Sequence, residues 1–170
     1  MEPIRRVGGL EIEEDLGFQR RMWRVQKIGW ALLGLVVVAA LLGLFGKGPL
    51  SRAVASRAGI PFQVEYERFG RYKAPMRMTI HIGPGVAEQG QIRLWLAREY
   101  LEAIQIQQIV PEPAGVVGDG TGTMYVFQVA DSSEPTTVSV DFLAEQFGLQ
   151  TVRIQVDEWP PLRFRQLIYP

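Results

Sequence analysis

Residues Ile28–Gly46 read IGWALLGLVVVAALLGLFG, a run without one charged side chain. At helical rise such a run spans about 30 Å, the hydrocarbon thickness of a bilayer. Backbone groups in hydrocarbon must bond to one another, so the run is expected to be helical despite its glycines and the Val36–Val38 triplet. Arg20, Arg21, Arg24 and Lys27 stand before it, and Trp23 and Trp30 bracket the boundary where amphipathic rings favour headgroups. These six residues are the expected membrane-interface set. Beyond the run, Lys47, Arg52 and Arg57 are fewer and more dispersed. The positive-inside bias therefore predicts an N-terminus in the cytoplasm and a translocated C-terminal part.

A cleaved signal peptide is the competing reading. Ala53-Val54-Ala55 has the small-x-small form of a cleavage site, but it lies behind Lys47, Pro49 and Arg52. The apolar run is also long for a signal sequence, which favours an uncleaved anchor. Glu11, Glu13, Glu14 and Asp15 precede the basic cluster, an order that suits a helix macrodipole. Leu16, Trp23 and Trp30 recur every seven residues, so the helix is expected to begin near Glu11 and project beyond the bilayer. Ala39 and Gly43 form a small-xxx-small pair that admits close approach of another helix.

After Gly46 the pattern breaks at Lys47-Gly48-Pro49, and Ser51–Gly59 is small and polar, as a tether would be. From Ile60 the apolar period is two. It appears in Phe62/Val64/Tyr66, Met76/Met78/Ile80/Ile82, Ile92/Leu94/Leu96, Ile104/Ile106, Tyr125/Phe127/Val129, Val138/Val140/Phe142, Val152/Ile154/Val156 and Leu162/Phe164. Short strands bounded by Gly, Pro, Asp or Ser predict a mainly β domain built as an antiparallel β-sandwich. An immunoglobulin-like arrangement is the first expectation, without the Cys and Trp signature, and a small β-barrel the second. Arg98–Ala103 reads as strand or as a short helical turn. The organisation expected is a partly helical head (1–27), a span (28–46), a tether (47–59) and a β-sandwich (60–170).

The residues for chemistry are sparse. The chain has no Cys, which excludes disulfides, thiol nucleophiles and cysteine metal sites. Lys+Arg 18 balances Asp+Glu 18, so net charge points to no nucleic-acid partner. His81 is the only histidine, so a histidine metal cluster or a two-histidine site cannot be assembled in one chain, and its strand phase predicts an ordinary surface position. Gly118-Asp119-Gly120-Thr121-Gly122 leads into a strand, not a helix, and reads as a turn rather than a phosphate loop. Glu112, Asp119, Asp131 and Glu134 lack calcium-loop spacing. No cofactor or metal ligand set is expected.

The last two strands carry one unusual feature. A hairpin about Trp159-Pro160 sets Arg153, Gln155, Arg163 and Arg165 outward, with Arg153 and Arg165 roughly opposite. Like charges across a ladder repel. Either neighbouring carboxylates neutralise them, or Arg153, Arg163 and Arg165 form a partner-binding face for an acidic or phosphate-bearing group.

The run Ile12–Gln26, followed by Gly46–Ser51, Val64–Phe69 and the closing Phe164–Pro170, resembles a group of uncharacterised bacterial single-pass membrane proteins with a short cytoplasmic head and a C-terminal periplasmic β domain. The resemblance implies an inner-membrane protein that accompanies another membrane or envelope protein, and it supplies no catalytic residues. The expected function is a non-catalytic accessory or interaction protein in contact with the bilayer, with self-association left open. A ligand-binding or sensing module coupled through one helix is the alternative, and a tethered enzyme using carboxylates or Ser/Thr the third.

Overall fold

The structure, a computed structural model, describes residues 16–41 and 51–170, with helix side chains from Arg21 onward. The first part is helix α1, Leu16–Leu41. Its stretch Arg21–Leu41 is long and apolar enough to cross a membrane, and within the structure it is unburied. Leu32, Leu33, Leu35 and Val36–Val38 are all exposed, an arrangement that water penalises on every side of the helix. Residues 11–15 and 42–46 of the expected helix, Gly43 among them, lie outside the described residues.

The second part is a β-sandwich. Its strands are β1 Arg52–Ala55, β2 Phe62–Glu67, β3 Phe69–Arg71, β4 Pro75–Ile82, β5 Gln91–Ala97, β6 Ile104–Val110, β7 Gly115–Gly118, β8 Gly122–Gln128, β9 Thr136–Ala144, β10 Gly148–Val156 and β11 Leu162–Tyr169, with one helical turn, α2 Arg98–Leu101, between β5 and β6. One sheet runs β1-β2-β4-β9-β6 and the other β3-β11-β10-β5-β8-β7. All pairs are antiparallel except β3 with β11. Each sheet ends in edge strands, so neither closes into a barrel. Five and six strands replace the four and three of a constant-type immunoglobulin domain.

The period-two pattern is the reason the two sheets face each other. Val64, Met78, Ile80, Val138, Val140 and Phe142 from the first sheet meet Leu94, Leu96, Phe127, Val152, Ile154 and Val156 from the second, each almost wholly buried. Across the seam Tyr66 stacks on Phe164 with ring centroids 4.0 Å apart. Gln107 is the extra residue of a bulge in β6. It shifts the phase so that Ile109 joins Ile104 and Ile106 against the core.

The tether expectation needs correction over residues 51–55. Ser51 is buried, its carbonyl accepts Arg68 N–H at 2.6 Å, and β1 pairs with β2 from Arg52↔Glu67 to Ala55↔Val64. Composition read this segment as linker because an edge strand need bury only one residue, here Ala53, to join a sheet.

Candidate functional site

The outward face of β10 and β11 is where sequence reasoning placed partner-binding arginines. Asp157 takes a left-handed conformation, φ 46°, and Trp159 N–H bonds to the Val156 carbonyl at 3.1 Å, so the turn starts one residue earlier than expected. The register consequently sets Arg153 opposite Arg163 and Arg165 opposite Thr151. The expected Arg153–Arg165 pairing is corrected, but a shift of two keeps all three arginines on one face.

Their surroundings differ. Arg153 donates to Glu99 of α2 at 2.7 Å. That hydrogen bond, with the attraction of the guanidinium, holds the Glu99 carboxyl below the usual carboxylate range. Arg153 is thus neutralised by the helical turn. Arg163 lines a depression of about 420 Å³ with Ser56, Arg57, Pro161 and Leu162. Among the described residues, neither Arg163 nor Arg165 has a carboxylate at ion-pair distance. The depression is lined by two guanidinium groups and suits an anion in charge.

Two buried polar groups escaped the sequence reading. Asp157 has a side chain only 3% exposed. Its Oδ1 accepts from Arg93 N–H and Nε at 3.2 Å, and its Oδ2 is buried without a hydrogen-bond partner. Burial pushes the carboxyl up, and the Arg93 donors and charge only partly offset this. Glu88, bonded to Arg93 at 3.1 Å, adds a further upward push. Gln166, 1% exposed, accepts from Tyr100 OH at 2.8 Å and donates to the Glu67 carbonyl at 2.9 Å. Gln166 occupies the inward phase of Leu162, Phe164 and Ile168, a polar residue on an apolar period that the sequence did display. Asp157 carried no such mark, because its burial follows from the turn.

The remaining candidates sit as follows. His81 lies on β4 with Nε2 3.7 Å from Glu65 and Nδ1 3.4 Å from Thr137 Oγ1. Residues 118–122 form the β7–β8 turn, in which Asp119 Oδ1 accepts from Thr121 N–H, Thr121 Oγ1 and Gly122 N–H, each at 2.8 Å. These bonds hold the Asp119 carboxyl low. Asp131 lies beyond the other end of β8 from Asp119, so these two acidic loops do not converge. Among the described residues no group of three His, Cys, Asp or Glu is placed to hold a metal. On α1, Arg21, Trp23, Arg24, Lys27 and Trp30 are exposed, with Lys27 Nζ 4.3 Å from the Trp23 ring centroid. Ala39 lies on the same helix, while the Arg20 side chain and Gly43 lie outside the described residues.

No family model and no curated protein sequence matches this chain. Among solved structures it is similar to a cohesin module from a Clostridium perfringens family 33 glycoside hydrolase, at 11% identity and a TM-score of 0.47, over 64% of this chain and 95% of that one. It is also similar to the cupredoxin domain of amoB from Nitrosocaldus yellowstonii, at 7% identity and a TM-score of 0.26, over 65% of this chain and 57% of that one. At these scores the likenesses transfer no activity.

Proposed function

We propose that this chain is a single-pass, membrane-anchored accessory protein that presents a non-catalytic β-sandwich to a membrane or envelope partner on the extracytoplasmic side. The observation that carries the reading is α1. Its apolar side chains are exposed all round, and Arg21, Trp23, Arg24 and Lys27 sit at one end of the apolar stretch. A helix apolar on every side is stable only when covered, and a bilayer covers it on every side at once. The non-catalytic part is supported by how the polar side chains are used. Arg77 with Asp141, Arg93 with Asp157 and Arg98 with Glu102 make ion pairs that tie strands and the helical turn together.

The test is extraction and capture. The full chain should resist carbonate extraction from membranes and, in mild detergent, co-purify stoichiometrically with an integral-membrane protein. Recovery as a lone species in the soluble fraction contradicts the proposal.

The depression between Arg57 and Arg163 supports the second reading, an extracytoplasmic module that binds an anionic ligand. Replacing both arginines with Gln separates the readings: a ligand module loses anion binding, whereas an accessory protein whose partner contacts another face retains co-purification.

A further inference from the structure

The sandwich has two unlike ends. At the end where Ser51 begins the domain, the chain crosses from β2 to β3 through Arg68, whose N–H bonds to the Ser51 carbonyl and whose carbonyl accepts Leu167 N–H. The register sets Phe69, Leu167 and Leu149 in one row across β3, β11 and β10. Leu167 is 42% and Leu149 59% exposed, and Phe147, one residue before β10, is 70% exposed. Beside this row the β3–β4 loop caps the same end. Tyr72 N–H bonds to the Tyr169 carbonyl and Lys73 N–H to the Ala144 carbonyl, both at 2.8 Å. Arg68, Arg71 and Lys73 are all exposed there, and the carboxylates at this end are Glu67, whose residue lies across from Arg52 of β1, Glu102, paired with Arg98, and Glu145 in the adjoining β9–β10 hairpin. An apolar row rimmed by cations has the make-up of a surface that meets anionic headgroups and the acyl boundary beneath them.

Chain length selects the same end. If the span runs to Gly46, the reach to Ser51 is at most roughly 18 Å of extended chain. The nine-residue strand β9 carries the opposite end roughly 30 Å farther along the sandwich. We infer that the corner formed by Arg68, Arg71 and Lys73 with Phe147, Leu149 and Leu167 rests on an anionic lipid surface, turning the Ser51 end of the domain to the bilayer. The inference rests on the anchored reading above. It leaves the opposite end, with the Arg57–Arg163 depression, facing away from the membrane.

Because the chain has no Cys, one introduced thiol gives one labelled position. Two full-length variants, Gln146→Cys beside Phe147 and Glu134→Cys in the β8–β9 loop at the opposite end, are labelled with a fluorophore. They are reconstituted into phosphatidylcholine vesicles with or without phosphatidylglycerol, in which a fraction of lipid carries a headgroup quencher. The label at 146 should be quenched strongly in the anionic vesicles and the label at 134 little. High salt should reduce the quenching at 146, since screening shortens the reach of surface charge. Combining Arg68→Glu, Arg71→Glu and Lys73→Glu should weaken the bound fraction at least about fivefold, as expected for losing even one cation near an anionic surface. The salt and lipid arms use unaltered surface charges, so they decide the matter even if the triple variant folds poorly. Equal quenching at the two positions, or quenching at 146 indifferent to lipid charge and salt, overturns the inference while co-flotation of the chain keeps the anchor. Failure to co-float with vesicles of either composition overturns both.

Discussion

Tyr100, Gln166 and the Glu67 carbonyl form a buried relay that joins α2, β11 and the end of β2. Each hydrogen bond here has been taken out of water, so losing one partner costs more than the bond contributes net. Tyr100→Phe is expected to cost about 1–3 kcal/mol by leaving Gln166 Oε1 unpaired. Gln166→Leu strands the Tyr100 hydroxyl in turn, and the double variant should cost less than the sum of the two, as urea unfolding would show. Burial also pushes the Tyr100 phenol far above its ordinary value. The folded state then holds that proton more tightly than the unfolded chain, so this group's contribution is full below about pH 10 and is lost as pH rises beyond it.

Asp157 makes the opposite end of the pH range informative. Its folded-state pKa is raised, with burial the largest cause. Its contribution to stability is therefore full below the ordinary carboxylate value near pH 4 and falls as pH rises through the raised one. Asp157→Asn removes the titration. The stability of this variant relative to the parent should rise between pH 4 and pH 7 in denaturant unfolding. A difference that stays constant or falls contradicts the burial account of this carboxyl.

Among the elements, the β7–β8 hairpin depends on one close approach. A Cβ on Gly122 would collide with the Leu96 carbonyl and the Trp95 indole, and a backbone carbonyl fixed between paired strands cannot swing aside. Gly122→Ala should destabilise the domain by about 1–3 kcal/mol, readable as a lowered Tm. Helix α1 has its own test. Val37→Arg places a charge near the centre of the apolar stretch at a cost of about 2.5–3.5 kcal/mol, and the variant should partition out of the membrane in flotation.

The elements also explain what could be read from the sequence. Strands β2, β4, β5, β8, β9, β10 and β11 bury alternate residues, and that alternation is written in the chain. Strands β1, β3 and β7 are edge strands of three or four residues. Their place is dictated by the ladder of a neighbour, so no period of their own marks them. The arginines of β10 and β11 were legible as one face. Which of them oppose each other was not, because it turns on the φ of Asp157, and the Glu99 partner of Arg153 comes from α2, 54 residues away.

The whole molecule joins an apolar helix long enough to cross a membrane to a sandwich with its own closed core. The basic residues before the apolar stretch are the ground for the proposed direction, and the sandwich ends differ in charge and apolar exposure. On the proposed reading the arrangement is an anchored domain whose far end is open to a partner. The central claim of that reading is the single crossing with the domain outside and the head inside. The most direct measurement labels single thiols, Gln19→Cys and Glu134→Cys, with a membrane-impermeant maleimide in intact spheroplasts. The account predicts that position 134 reacts at once and that position 19 reacts only after detergent. Reaction of both without detergent, or of position 19 alone, would contradict it.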